Sequence, residues 1–92
     1  MSEPGALARP SIAAGFRLQW EPAQDSCVLL YPEGMVKLNQ SAGAILGCCD
    51  GVRTVEQVIA ELERSYSMSG LGPQVCAFLE LALERGWLEL RP

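Results

Sequence analysis

Apolar and polar residues alternate cleanly near the start of the chain, where Phe16, Leu18 and Trp20 are separated by Arg17 and Gln19. A period of two places the three apolar residues on one face of a strand whose other face is wet. After a turn-like stretch at 22–26, residues 27–31 are apolar at every position and read as a second, more buried strand. Pro32, Glu33 and Gly34 then turn the chain into Met35, Val36, Lys37 and Leu38, a third short strand. At Asn39 the period changes. Its side-chain oxygen suits an N-cap, and Ala42, Ile45, Leu46 and Cys49 recur at i, i+3, i+4 and i+7 until Asp50 and Gly51 stop the helix. A second helix opens on Thr54 and Gln57, the spacing of a capping box. Its core stripe is Val55, Val58, Ile59, Leu62 and Tyr66, and Glu56, Glu61, Glu63 and Arg64 face outward. A polar, glycine-rich link over 66–72 leads to Pro73, favoured in a first helical turn, and a third helix that runs to about Arg85. Gly86 closes it, and 87–90 leave as an extended tail. Val75, Cys76, Phe78, Leu79, Ala82 and Leu83 cover more of this helix than one core-facing stripe needs, and Leu81 adds an apolar residue on the other side.

These elements predict an α+β fold, a three-stranded antiparallel sheet followed by three helices, in the order of a winged helix-turn-helix domain. Residues 1–14 carry Pro4, Gly5, Pro10 and several alanines without a period and are expected to form a flexible N-terminal arm, leaving 15–92 as the folded domain.

Composition removes several functions. A chain of 92 residues is one domain and buries only about 60–65% of its unfolded surface, so its stability margin is thin. No apolar run approaches the roughly 18 residues of a membrane span, and the N-terminus lacks the basic start and apolar core of a secretory signal; a cytoplasmic protein without membrane contact is expected. The formal net charge is −4, and seven scattered Lys and Arg residues make no footprint for nucleic acid. The winged-helix order itself suggests a DNA-binding regulator as the alternative, but Glu56, Glu61 and Glu63 on the second helix, or Glu80 and Glu84 on the third, would meet a phosphate backbone with like charge. Histidine is absent, which removes the usual general base, and no glycine-rich phosphate loop is present. Cys27, Cys48, Cys49 and Cys76 form no C-x2-C pair, so they read as small reduced hydrophobes. No enzyme, metal or cofactor is expected.

What remains is binding. A short sheet has edges whose unpaired backbone groups can accept another chain as an added strand. Residues 35–38 form such an edge, and the wide apolar face of the third helix can wall a groove beside it. On periodicity alone, that strand ending the sheet and that helix filling the core is an equally good account. A purely oligomeric scaffold is a further alternative, since a small domain with a thin margin is compatible with a homodimer.

The assembled stretches "FRLQWEPAQ", "LLYPEGMVKLNQSAGAIL", "CDG" at 49–51, "TVEQVIAEL" and "FLELALERGWL" resemble the pyrroloquinoline quinone (PQQ) biosynthesis protein D family, PqqD, over roughly 15–90. The resemblance implies a peptide chaperone with the winged-helix fold of a RiPP recognition element. Such a protein binds the ribosomal precursor peptide PqqA and presents it to the radical SAM enzyme PqqE. In related recognition elements the peptide lies against the third strand, in a cleft shared with the third helix. Carried onto this chain, the resemblance implies Met35, Val36, Lys37 and Leu38 on the strand, and contacts drawn from Val75, Phe78, Leu79 and Ala82 on the helix. Gln74 stands where the family often has an acidic residue, and Cys48 and Cys49 where it has ordinary apolar ones. The exposed side of the third helix, with Leu81, offers an alternative surface for PqqE or for self-association.

Overall fold

The computed structural model describes residues 5–91. The three expected strands are preceded by a fourth that the alternation of apolar and polar residues does not announce. They are β1 (Arg9–Ile12), β2 (Arg17–Glu21), β3 (Ser26–Tyr31) and β4 (Gly34–Lys37), followed by α1 (Gln40–Gly47), α2 (Val55–Ser65), α3 (Gly72–Glu84) and β5 (Leu88–Arg91). The expected α+β architecture is present: β2, β3 and β4 form a three-stranded antiparallel sheet in that order, and three helices follow.

The hairpins follow from local chemistry. Glu21 accepts from the Ala23 amide through its carboxylate, and Asp25 takes a left-handed conformation (φ 50°) to close the β2–β3 turn. Pro32 and Glu33 alone connect β3 to β4, with Tyr31 and Gly34 already paired across the ladder. Leu29, fully buried at the centre of the sheet, lies in the core beneath α1, and Val28, on the alternate side of the strand, is almost fully buried as well. Gly43 makes that approach possible, because a Cβ there would lie 3.1 Å from Cys27 Cβ.

The helix ends match the expected caps. Asn39 accepts from the Ala42 amide at 2.8 Å. Thr54 and Gln57 form the reciprocal capping box. Gly86 (φ 78°) ends α3, with Trp87 N–H donating to Ala82 C=O and Gly86 N–H to Leu83 C=O, the two bonds of a Schellman motif.

The expected arm is corrected for the residues described. Residues 9–12 pair with β5 in antiparallel register, Arg9 with Arg91 through Ile12 with Leu88, and Pro10 is fully buried. The segment before β1 also completes a helix: the Val55 amide donates to Ala8 C=O and the Glu56 amide to Ala6 C=O. Those are two of the orphan donors at the start of α2. A four-residue strand containing a proline carries no period-two signal, so only its partner and its burial define it. Residues 1–4, the remainder of the expected arm, lie outside the described residues. The tail expected at 87–90 is, from Leu88 on, the partner of β1. Leu29, Leu46, Val55, Val58, Leu79 and Leu88 anchor one core between the sheets and the three helices.

Candidate peptide-binding edge and groove

Among the described residues, β4 has a neighbour on one side only. The Leu38 amide donates to Cys27 C=O, which makes Cys27 and Leu38 a hydrogen-bonded pair. Antiparallel ladders alternate, so Val36 with Leu29 and Gly34 with Tyr31 are the next such pairs. Met35 and Lys37 therefore turn both N–H and C=O away from the sheet. Their side chains follow the same alternation: Met35 and Lys37 are exposed, Val36 is half-buried against the core and Leu38 is buried.

Two residues beyond Lys37 begins a groove of about 880 Å³ between α1 and α3. Asn39, Gln40, Ser41 and Ala44 form one wall, from the first turns of α1. Gln74, Val75, Phe78 and Leu81 form the other, from α3. Tyr66, Met68 and Leu71 close the far end from the α2–α3 connection, over a floor that includes Ile45 and Leu62. Among the described residues, none that lines the groove is charged. The connection is held in place by Glu63, whose carboxylate accepts from the Leu71 amide at 3.0 Å, and it turns through left-handed Ser67 and Gly70.

The eight residues implied by the resemblance are thus divided. Met35 and Lys37 offer free backbone groups, and Val75 and Phe78 reach the groove. Leu79 and Ala82, 1% and 0% exposed, are sealed in the core and support the wall from behind. Val36 and Leu38 face inward and fix the strand. Leu81 opens onto the same groove rather than onto a separate surface. Tyr66 and Met68, 42% and 56% exposed, were not singled out as site residues. Tyr66, expected on the core stripe of the second helix, instead stands at its C-cap and lines the groove; the available signal was that this aromatic and a methionine lie in a polar, glycine-rich link.

Cysteine chemistry is muted. No disulfide joins Cys27, Cys48, Cys49 and Cys76. Burial pushes the Cys49 thiol up to about 12, with the neighbouring Cys48 and Asp50 adding to the effect, and burial also raises Cys48. Cys49 donates its S–H to Ile45 C=O at 3.2 Å. Protonated, hydrogen-bonded thiols are poor nucleophiles. Among the described residues no group of three or more His, Cys, Asp or Glu side chains is placed to hold a metal ion, and no helix is long and apolar enough to cross a membrane.

Residues 26–88, which hold β3, β4 and all three helices, match the family model for coenzyme PQQ synthesis protein D (PqqD). This chain belongs to the PqqD family. Among its curated relatives, the "PqqA binding protein" of Stutzerimonas stutzeri is 53% identical over 99% of this chain and 100% of its own length. The protein of that name from Azotobacter vinelandii is 54% identical over 98% and 99%. A solved relative is the PqqD part of Methylobacterium extorquens PqqCD, determined in solution as a functional, stand-alone RiPP recognition element. It superposes with a TM-score of 0.69 at 29% identity, covering 96% of this chain and 95% of that one. The PqqD fold is therefore the winged-helix-like fold of a recognition element, as the element order suggested.

Proposed function

We propose that this PqqD protein binds the precursor peptide PqqA as an added strand on β4, seats peptide side chains in the α1–α3 groove, and presents the peptide to the radical SAM enzyme PqqE. The observation that carries this reading is the continuity of two outward-facing backbone donors, at Met35 and Lys37, with an uncharged apolar groove. The relatives' name, PqqA binding protein, supports the identity of the peptide. Backbone pairing gives affinity without demanding a particular sequence, and the groove selects which side chains fit.

The energetics suit a carrier. Each backbone bond along the edge contributes roughly 0.5–1.5 kcal/mol net. Ordering a flexible peptide offsets part of that gain, so burial of apolar side chains between Phe78, Leu81 and Tyr66 supplies the remainder. Holding the peptide on a scaffold that also touches the modifying enzyme raises its effective concentration there, which accelerates a reaction the scaffold does not perform. Such a role is cytoplasmic, where precursor and enzyme are made.

The test is a titration of PqqA into isotopically labelled protein, followed by amide shifts. Saturable changes are expected at Met35, Lys37 and the residues around Phe78 and Tyr66. Changes confined to other surfaces, or no binding, would sink the site. Presentation is tested separately: PqqE should modify PqqA faster with the protein present, and equal rates would remove that role while leaving binding intact.

A further inference from the structure

The ladder that turns the backbone of Met35 and Lys37 outward also decides which side of a bound strand their side chains meet. Val36 and Leu38 point toward the helices, while Met35 and Lys37 point to the open side of the sheet. A strand added at this edge continues the pleat. The residue beside Lys37 therefore shares its face whichever way the peptide runs, and the residues before and after it point toward the helices. The edge thus meets a peptide with two chemistries. On the helix side lies the apolar groove, lined among the described residues by no charged side chain. On the open side of β4 stands one cation, Lys37.

Within the fold that cation has no partner. Among the described residues the ion pairs are Arg53 with Asp50 and Arg64 with Glu61, and the Lys37 side chain makes neither an ion pair nor a hydrogen bond. Its neighbours across the sheet at the same level are Val28 on β3 and Gln19 on β2, neither of them an acid. This is so in a chain with 11 acidic and seven basic residues. A lysine on an open edge discourages strands that bring nothing to neutralise it. A strand that places a carboxylate at the same level is favoured by the same charge, so one side chain both excludes and selects.

We propose that Lys37 sets the register of the bound peptide by pairing with an acidic side chain directly beside it, in a segment where apolar residues flank that acid and point to the helices. The inference rests on strand addition at β4 and names what that site reads. Backbone bonds alone leave the register open, because Met35 and Lys37 offer the same outward groups two residues apart. Sliding the peptide by two residues toward Met35 sets the acid beside a thioether and leaves Lys37 without it. Sliding by one turns the acid toward the groove, where no cation receives it and its desolvation is uncompensated. Only the register with the acid at Lys37 satisfies both faces.

PqqA variants in which each acidic residue in turn is changed to its amide test this by isothermal titration. The protein is the full chain, as wild type and as Lys37→Gln, which keeps the backbone donor and loses only the charge. One peptide position is expected to weaken wild-type binding about two- to fivefold and to have no effect on Lys37→Gln, which binds natural PqqA with that same loss. Lys37→Glu, at an exposed side chain, should weaken binding about tenfold and recover when lysine replaces the acid at that one position. Recovery by charge exchange is a result that damage to the strand cannot give. Amide shifts of the labelled wild type separate this inference from strand addition itself. If Met35 and Lys37 do not shift with PqqA, strand addition fails and the register falls with it. If they shift and Lys37→Gln binds as tightly as the wild type, or no acidic position couples to Lys37, the charge-set register alone is overturned.

Discussion

Two neighbouring residues on β4 have opposite fates, and the difference is one of hydrogen-bond phase. Val36 donates into the sheet, toward Leu29, whereas Lys37 donates outward. Lys37→Pro should therefore remove one peptide contact, weakening PqqA binding up to about tenfold for a bond near 1.4 kcal/mol, with little change in melting temperature. Val36→Pro breaks a ladder bond and should unfold the hairpin. Isothermal titration beside a thermal melt separates the two; equal losses of affinity at unchanged stability would contradict the assigned phase. On α3 the comparable pair is Phe78 and Leu79. Phe78→Ala should lower peptide affinity more than stability, while Leu79→Ala opens a core cavity and should destabilise by about 2–5 kcal/mol. Sequence periodicity placed both on one wide apolar stripe and could not divide it, because the division depends on where α1 lies, and that is set by the contact of Gly43 with Cys27.

The elements with local signals were legible and those with nonlocal ones were not. Asn39, Thr54 with Gln57, Pro73 and Gly86 each act within one turn of the backbone they cap, so their spacing alone located all three helices. β2 announced itself through alternation. β1 has neither: its four residues are held by β5, at the far end of the chain, and by the start of α2. That pairing carries a consequence an arm would lack. Deleting residues 1–12 strips Pro10 from the core and removes the carbonyls of Ala6 and Ala8 from the first amides of α2. Truncation should lower the melting temperature by at least about 4–8 °C for each kcal/mol lost, whereas an unattached arm predicts no change. Thr54→Ala offers a calibrated comparison at the same helix end, costing about 1 kcal/mol, and the truncation should exceed it.

At the scale of the whole molecule, two groups give stability a defined dependence on pH. The exposed Asp50 carboxylate accepts from the Arg53 and Val52 amides, both at 2.9 Å, and pairs with the Arg53 guanidinium, which together hold it below its ordinary value of 3.8. Its contribution is present above that value and is lost as pH falls through the lower value of the folded protein. The buried Cys49 thiol acts at the other limb. Unfolded, it ionises near 9.0; folded, burial holds its proton until about 12. Below pH 9.0 both states keep the proton and the contribution is complete. As pH rises from 9.0 toward 12 only the unfolded chain releases it, so the folded state is progressively disfavoured. Denaturant midpoints of the wild type should therefore fall steadily across that interval. Cys49→Ala starts less stable, since a buried side chain is lost, but its midpoint should fall less steeply between pH 9 and 12. A variant that merely weakens packing would shift the whole curve and keep its slope. Parallel curves for wild type and Cys49→Ala would show that the Cys49 thiolate is tolerated inside the fold, contrary to its 4% exposure and its bond to Ile45.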